Sequence, residues 1–367
     1  MLVKLFLSGD VMTGRGVDQI LPQPCDPIIH EPAVASAREY VALAEAANGP
    51  IPRPVDFAYV WGDALAEIEA RSPDARIVNL ETSVTTSEEA APKGINYRMN
   101  PANVRCLQAA RVDCCALANN HVLDWGAAGL METLESLHRA GIAVAGAGRT
   151  ADEAERPAVV ETPAGGRVLV FAYGSPTSGV PAEWRASPGA PGVNYLPDFS
   201  AETARAVCEH MSRRRQPGDL CIASIHWGGN WGYEVPEEQR RFAHRLIDEG
   251  GVDIVHGHSS HHVKGIEVHR ERLVLYGCGD FINDYEGIGG YEEFQPHLAL
   301  AYFVSFDNDP PRLTEVHMVS FRRRRMRLER AAPAEAEWLG TVLNREGMPF
   351  GTSVASLGGS VLELRWR

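Results

Sequence analysis

The chain alternates between short apolar runs and polar segments, and five of the apolar runs lead directly into residues that can bind a metal. Apolar runs of this length, bounded by glycine and polar residues, are typical of buried β-strands. If these strands are parallel neighbours in one sheet, their ends meet at one edge, where α/β proteins keep their functional sites. The five segments are Leu5–Asp10, Ile77–Glu81, Ala116–His121, Ile222–His226 and Ile254–His258.

Between these strands the apolar residues recur at helical spacing. Leu130, Leu134 and Leu137 fall on one helical face, and Gly141 stands where a C-cap would end the helix. The alternation of strands and helices predicts a parallel or mixed α/β architecture. The predicted helices are Phe57–Ala70, Pro101–Ala110, Gly126–Ala140, Ala201–Arg215 and Pro236–Gly250.

Three long connections, each rich in Pro or Gly, leave the expected edge of the site at Leu21–Asp56, Gly174–Asp198 and Asp284–Pro296. Because loops of this length in a compact domain are usually functional or disordered, we expect them to form walls and lids of a pocket.

Beyond residue 296 the pattern changes to strands that look antiparallel. We expect one domain over residues 1–296, while residues 297–367 either complete its sheet or are appended to it. The further predicted strands are Arg167–Tyr173, Ile266–His269, Arg272–Tyr276, Leu298–Phe306 and Leu313–Phe321.

The 367-residue chain has a net charge of -13, with 44% hydrophobic and 23% charged residues. This acidic balance argues against a general nucleic-acid binder, which would need basic residues for phosphate contacts. No run approaches the ~20 apolar residues of a membrane-spanning helix, and the first ten residues read as a core strand rather than a signal peptide. We therefore expect a cytoplasmic protein that does not bind a membrane. The seven cysteines form no CxxC pair and predict reduced thiols.

Two of the five strand ends carry a carboxylate. Asp10 suits a metal ligand because the flanking glycines let the backbone turn tightly, although an Asp here could equally cap a helix. Glu81 could bridge two ions or cap the turn that follows it. Arg15 is a candidate for holding an anionic substrate group, since its planar fork suits phosphate or carboxylate. A surface salt bridge is the alternative for Arg15.

The segment 119–126 is more specific, because it holds two Asn, a His and an Asp directly after an apolar strand. The side-chain oxygen of Asn120 can bind a metal, while the imidazole of His121 points into the substrate space as a general acid or an electrostatic clamp. Asp124 is placed to accept the Nδ1–H of His121 and fix its tautomer. The alternative is a helix start with a surface histidine.

Four of the 13 histidines fall within the seven positions 256–262. Neutral imidazoles so closely spaced favour metal capture. We expect His258 and His261, on either side of a Ser-Ser turn, to be ligands. His256 is expected to lie inside the strand, and His262 to face solvent.

Two further segments bear on the same edge. His226 precedes a segment rich in Trp and Gly that looks like a pocket wall, which favours a ligand over a hydrogen-bonded core residue. Asp280 and Asn283 end a later strand and are expected to support the ligands from behind, with a tight structural turn as the alternative.

In their order and at these strand ends, the motifs resemble the CapA family of poly-γ-glutamate biosynthesis proteins. That family is similar to the calcineurin-like metallophosphatases, so the resemblance implies a four-layer αββα sandwich of two mixed sheets flanked by helices. It extends from residue 4 to about residue 285. The matching pieces are Gly9–Arg15, Asn79–Glu81, Asn119–His121 with Asp124 and Gly126, His226–Gly228, Gly257–His258 with His261, and Tyr276–Gly277 running to Asp280–Ile282.

The resemblance also implies a set of site residues. The protein would bind one or two divalent ions (Mn, Fe or Zn), and His121 would lie beside the substrate. The chain departs from the metallophosphatase pattern at Met12, where a histidine would stand, and at Glu81, where an Asp would bridge the ions. One of the two metal sites is therefore expected to be weak or differently built. The implied ligands are Asp10, Glu81, Asn120, His226, His258 and His261.

Three hypotheses follow, in order of preference. The first is a soluble metal-dependent hydrolase that acts on a phosphoester or amide of an anionic small molecule or glutamyl substrate. In it His121 acts on the substrate, Asp124 orients His121 and Arg15 binds an anionic group. The second is a non-catalytic accessory protein of poly-γ-glutamate synthesis that binds acidic polymer. The third is a metal-free interaction module. The sequence predicts no oligomeric state.

Overall fold

The computed structural model describes residues 2–163, 165–308 and 311–366. The strands are β1 Leu2–Val11, β2 Ala75–Leu80, β3 Ser83–Val84, β4 Arg98–Met99, β5 Cys114–Ala116, β6 Ala143–Ala145, β7 Ala147–Gly148, β8 Ala158–Glu161, β9 Arg167–Gly174, β10 Gly192–Val193, β11 Leu220–His226, β12 Ile254–His258, β13 Ile266–His269, β14 Arg272–Leu275, β15 Asp280–Ile282, β16 Leu298–Asn308, β17 Pro311–Arg323, β18 Leu328–Arg330, β19 Thr352–Gly358 and β20 Val361–Trp366. The α-helices are α1 Arg15–Ile20, α2 Ala37–Asn48, α3 Asp63–Arg71, α4 Arg105–Ala109, α5 Gly126–Arg139, α6 Ala151–Glu155, α7 Ala201–Ser212, α8 Glu237–Asp248 and α9 Pro333–Gly347.

The larger of the two main sheets, here called the large sheet, runs in the order β19-β20-β17-β16-β1-β2-β5-β6, with β15 beside β1 and β18 beside β17. Strand β1 is parallel to β2 and β15 but antiparallel to β16, so the sheet is mixed. Strands from the C-terminal part of the chain thus lie in the same sheet as the N-terminal strand.

The second main sheet, here called the small sheet, runs in the order β13-β14-β12-β11-β9-β8. Its central strands β9, β11 and β12 are buried on both faces. In β9, Val168 and Val170 belong to the core between the sheets, whereas Leu169 and Phe171 pack into a second core with α7 and α8. Burial on both faces explains why these strands appear in the sequence as continuous apolar runs.

The two sheets pack face to face, with β1 against β12 and β6 against β8 and β9. Helices α7 and α8 cover the outer face of the small sheet. Helices α3, α4 and α5 cover the other side of the large sheet, where Trp61 packs on Phe281 and donates to the Cys106 carbonyl. This arrangement confirms the four-layer αββα sandwich of two mixed sheets that the resemblance implied.

The five strands that end in candidate ligands do not share one sheet, so that expectation was wrong. β1, β2 and β5 lie in the large sheet, whereas β11 and β12 lie in the small sheet. The reason is that β8 pairs antiparallel with β9 and begins a separate sheet rather than extending the first. The strand ends still meet because the two sheets stack on each other.

The predicted helices are present with shorter bounds. Gly62, at a φ of 47°, divides the predicted Phe57–Ala70 helix into a 3-10 turn at Tyr59–Trp61 and the helix α3. The predicted connection Leu21–Asp56 contains a further helix, α2. None of the helices in the described part of the chain has the length and apolar character needed to cross a membrane.

Candidate metal centre

Asp10 lies where the ends of the two sheets meet. In the large sheet it is the register partner of Asn79 in β2 and of Asp280 in β15. Asn79 Nδ2 donates to Asp10 Oδ1 at 2.7 Å, and the backbone N–H of Ser259 donates to Oδ2 at 3.2 Å. Ser259 adopts a φ of 102°, which a non-glycine residue keeps only under constraint from its surroundings. Both sheets therefore hold the Asp10 carboxylate in place.

Close backbone packing beside Asp10 depends on Gly9. A Cβ at this position would lie 1.8 Å from the carbonyl oxygen of Gly279, so only glycine fits. The Asp10 N–H then donates to the same carbonyl at 3.1 Å. As a result, Asp10 and Asp280 occupy adjacent strands with both side chains buried.

Buried carboxylates of Asp10, Glu81 and Asp280 share this space. Burial, and next the charge of Asp280, raise the pKa of Asp10 to about 7, while the hydrogen bond from Asn79 opposes them. Burial and the charge of Asp10 also raise the pKa of Glu81 well above its usual value. Within the described residues, the buried Glu81 Oε2 makes no hydrogen bond. A bound cation would offset the repulsion between these carboxylates and would give Glu81 Oε2 a partner.

A chain of polar groups from the small sheet leads into the same space, with successive contacts between 2.8 and 3.1 Å. Burial lowers the pKa of its three histidines, to about 4 for His256. Each imidazole is therefore neutral and carries one N–H. The chain runs from the Ser8 carbonyl through His256, Ser224, His258 and His226 to Asn120 Oδ1.

This chain has one hydrogen too few. Three neutral imidazoles and the Ser224 hydroxyl supply four hydrogens to five contacts. The Ser8 carbonyl can only accept, so His256 donates to it, and the same direction continues along the chain. His226 Nε2 and Asn120 Oδ1 are left as two acceptors 3.0 Å apart, with Glu81 Oε1 3.6 Å from the same nitrogen. With the Asn120 amide in this orientation, the two acceptors and the nearby Glu81 carboxyl fit a metal ion.

Two overlapping groups of side chains have ligand atoms within 4.8 Å of one another. One is Asp10, His226 and His258, and the other is Asp10, His261 and Asp280. His261 Nδ1 lies 2.9 Å from Asp280 Oδ1. Burial lowers the pKa of His261, but the charges of Asp280 and Asp10 outweigh it and the net change is upward. Carboxylate oxygens with imidazoles suit Mn, Fe and Zn.

His121 lies at the entrance to this space. Its Nδ1 is 2.6 Å from Asp124 Oδ2, and Lys93 Nζ donates to the other carboxylate oxygen at 2.7 Å. Burial lowers the pKa of His121 to about 4, and the positive charge of Lys93 acts in the same direction against the pull of Asp124. The imidazole is thus neutral with its hydrogen on Nδ1, and its Nε2 lies 3.8 Å from Glu81 Oε1.

Arg15 is buried and fully engaged within the protein. Its guanidinium donates to both carboxylate oxygens of Asp284 at 2.6 and 2.9 Å and to Glu31 at 2.9 Å. It also stacks 3.5 Å above the centre of the Tyr40 ring. The geometry does not support the expected substrate contact, because every face of the guanidinium already has a partner. The alternative of a surface salt bridge is also wrong, since the pair is buried.

The structure brings most of the sequence-derived candidates together and changes the position of a few. His256 lies inside β12 as expected, but His262 is buried rather than exposed to solvent. Met12 is buried and its sulfur lies 3.6 Å from the Tyr285 hydroxyl. Asp280 joins the ligand groups directly instead of standing behind them. The candidates that converge are Asp10, Glu81, Asn120, His121, Asp124, His226, His258 and His261.

Sequence reasoning missed Lys93 and Ser224. Lys93 lies in a polar segment without periodicity, so no signal marked it. Ser224 is the inward-facing residue two positions before His226 in β11, and the period of two in a strand would have placed it on the same face.

An αββα sandwich with buried carboxylates and imidazoles where its sheets meet defines a protein with a candidate divalent-metal centre. The model of one family, described as bacterial capsule synthesis protein PGA_cap, matches residues 4–285. The chain belongs to this family.

Two relatives in sequence support this assignment. A Mycobacterium tuberculosis protein named "Probable polyglutamine synthesis accessory protein" is 45% identical over 365 residues, 99% of this chain and 96% of the relative. The PGA biosynthesis protein CapA of Bacillus subtilis is 26% identical over 58% of this chain and 54% of its own. A crystal structure of a phosphatase from Mycoplasma pneumoniae aligns with a TM-score of 0.49 at 13% identity, over 92% of this chain and 97% of that one.

Proposed function

We propose that the protein is a metal-dependent hydrolase that cleaves an amide or phosphoester bond in an anionic substrate, with a glutamyl chain as the leading substrate class. The observation that carries this proposal is the set of acceptors at the sheet edge. His226 Nε2 and Asn120 Oδ1 face each other as two acceptors, with the Glu81 carboxyl beside them. A purely structural cluster would leave no such excess of lone pairs.

The residues that would hold the metal are the two groups sharing Asp10, together with Asn120 and Glu81. His258 would bind through Nδ1 only by exchanging its hydrogen bond with His226 for the ion. When bound there, a divalent ion supplies Lewis acidity and a water activated at neutral pH. The hydrogen bonds from Asn79 and Ser259 keep the Asp10 carboxylate oriented for this purpose.

In this proposal His121 acts as general base and then as general acid. Because its hydrogen lies on Nδ1 and is directed at Asp124, the free lone pair is on Nε2. Nε2 takes one proton of the attacking water and returns it to the leaving amine or alcohol. The water oxygen and its second hydrogen stay on the acyl carbon or phosphorus, while the bond to the leaving group breaks. Asp124 accepts the hydrogen on Nδ1 of His121 and stabilises the imidazolium during the transfer.

The substrate class rests on chemistry at the entrance and on the relatives. Lys93, whose side chain is about a quarter exposed, places a positive charge beside His121 that would attract an anionic group. One relative is named for polyglutamine synthesis and another for PGA biosynthesis. A glutamyl chain offers both the carboxylates and the amide bonds that this arrangement would recognise.

The name of the Mycobacterium tuberculosis relative favours a second candidate function, an accessory protein that binds acidic polymer without turnover. The same metal and carboxylate chemistry would then serve as a binding site. The two functions differ in whether His121 has a chemical task.

Turnover separates the two functions. The purified protein would be loaded with Mn²⁺, Fe²⁺ or Zn²⁺ and incubated with γ-glutamyl oligomers and with an aryl phosphate, beside an Asp10→Asn variant. Release of amine or phosphate by the wild type alone supports the hydrolase. Saturable binding of the oligomer with no product from either substrate would overturn it in favour of the accessory function.

A further inference from the structure

A second group of metal-binding side chains lies between α8 and β13, away from the Asp10 centre. His244 and Asp248 are one turn apart on α8, and Glu267 and His269 are two residues apart on one face of β13. The helical spacing of four and the strand spacing of two therefore place two imidazoles opposite two carboxylates. We propose that these residues form a separate site for a borderline divalent cation such as Zn²⁺.

The distances between these side chains support binding of one cation by several of them. His244 Nε2 lies 3.0 Å from Glu267 Oε1, and His269 Nε2 lies 2.9 Å from Asp248 Oδ1. The two imidazole rings stack 3.9 Å apart with an angle of 8° between their planes, so one ring would turn for both to direct a lone pair at the same cation. Ligand atoms of His244, Glu267 and His269 all lie within 4.8 Å of one another. Two imidazoles with carboxylate oxygens match the preference of zinc.

One nitrogen of the group lacks the partner that a structural role would give it. His244 Nε2 is shielded from solvent and makes no hydrogen bond of acceptable geometry, although Glu267 Oε1 is near. Misalignment at such a short distance is expected where both atoms are directed at a common cation rather than at each other.

The carboxylate of Glu267 is already oriented. The hydroxyl of Tyr276 donates to Glu267 Oε2 at 2.6 Å. The other carboxylate oxygen, Oε1, therefore faces His244. Arg240 also reaches Oε1 at 3.1 Å, but its side chain is about one third exposed and can move into solvent. The side chains of His244 and His269 are also partly exposed, so movement of these surface side chains, rather than opening of the fold, would admit a cation.

Such a cation would fasten α8 to β13, the edge strand of the small sheet. Two neighbouring strands of that sheet, β11 and β12, carry His226 and His258. The site would thus stabilise the half of the protein that supplies the imidazoles of the Asp10 centre. It does not depend on the proposed hydrolase activity.

Zinc titration tests the proposal. In an Asp10→Asn background, equilibrium dialysis against Zn²⁺ should retain about one equivalent, which H244Q/H269Q removes. His210→Gln, which alters another histidine paired with a carboxylate, should leave that equivalent in place. The same titration of H244Q/H269Q in the otherwise unchanged chain should show one equivalent fewer than the wild type.

Melting temperature provides a second readout if the combined variants fold poorly. Zn²⁺ should raise the Tm of the wild type. It should raise the Tm of Asp248→Asn, which retains both histidines, by less. Equal zinc contents for H244Q/H269Q and the His210→Gln control, or an equal zinc-dependent rise in Tm for Asp248→Asn and wild type, would overturn the proposal.

Discussion

The Nδ1 atoms of His226 and His258 lie 2.8 Å apart across two neighbouring parallel strands. Both histidines are buried and have lowered pKa values because burial penalises the charged imidazole. One ring must therefore donate to the other, which fixes their tautomers. That constraint leaves the lone pair of His226 Nε2 facing Asn120 and Glu81. An unpaired nitrogen in this position favours binding of a cation.

Metal content should depend on Asp10, the residue common to both ligand groups. We expect the Asp10 centre of the wild type to hold about one to two equivalents of a transition metal, and Asp10→Asn to lose at least half of this share. Plasma mass spectrometry on protein purified without an affinity tag measures this. Glu135→Gln, at an exposed carboxylate paired with Arg139, is the control. Equal metal in Asp10→Asn and the control would contradict the assignment.

Removal of the His121 imidazole should abolish proton transfer while leaving the metal in place. We expect kcat of His121→Ala to fall by about 10²–10⁴-fold, because the proposed mechanism assigns the proton transfer to His121 Nε2. Substitution of the exposed His138 by Ala should have no effect. Full activity of a metal-loaded His121→Ala protein would show that His121 has no chemical role.

Lys93 should tune the proton affinity of His121. Its positive charge lowers the pKa of His121, which is about 4, so Lys93→Met should raise that pKa. The His121 imidazole resonance in an NMR titration of metal-free protein reports it without any assay of activity. Lys4→Met, far from the site on the exposed start of β1, should leave the titration unchanged. An unaltered midpoint in Lys93→Met would argue that burial alone sets the pKa.

The stability of the metal-free protein should depend on pH through Asp10. The native carboxyl has a pKa of about 7 against an ordinary value of 3.8, so the native state holds more protons than the unfolded state between these values. The free energy of unfolding should therefore fall as the pH rises through this window. Urea unfolding of metal-free wild type and Asp10→Asn measures it. The variant should show a shallower decline, and identical pH profiles would count against the raised pKa.

The buried pair of Arg15 and Asp284 should be structural. Arg15→Met leaves the Asp284 charge buried without its partner and should cost ~3–5 kcal/mol in the free energy of unfolding. Arg53→Met breaks the exposed pair with Glu45 and should cost at most ~1 kcal/mol. Urea unfolding compares the two variants. A cost for Arg15→Met as small as that for Arg53→Met would leave room for a substrate-binding role.

Local patterns in the sequence located many of the elements and most of the residues that converge at the candidate centre. The apolar runs predicted the strands that carry Asp10, Glu81, His226 and His258, and the predicted strand Ile266–His269 has the bounds of β13. Helix α2 escaped detection because five of its twelve residues are Ala, so its buried and exposed faces differ little in polarity.

What the sequence could not predict are relationships between distant segments. The division of strands between two sheets depends on the pairing of β8 with β9, which no local pattern fixes. Asp280 lies 270 positions after Asp10, and its place beside Asp10 follows from the close approach of Gly9 to Gly279. Arg15 likewise meets Asp284 only through the tertiary fold.

The position of β1 in the large sheet has a consequence for synthesis of the protein. This strand leaves the ribosome long before two of its neighbours, β15 and β16, which end at residues 282 and 308. A nascent chain shorter than that presents Asp10 without Asp280 and with one side of β1 unpaired. The metal centre is therefore completed late in translation, and until then the N-terminal strand needs protection from aggregation.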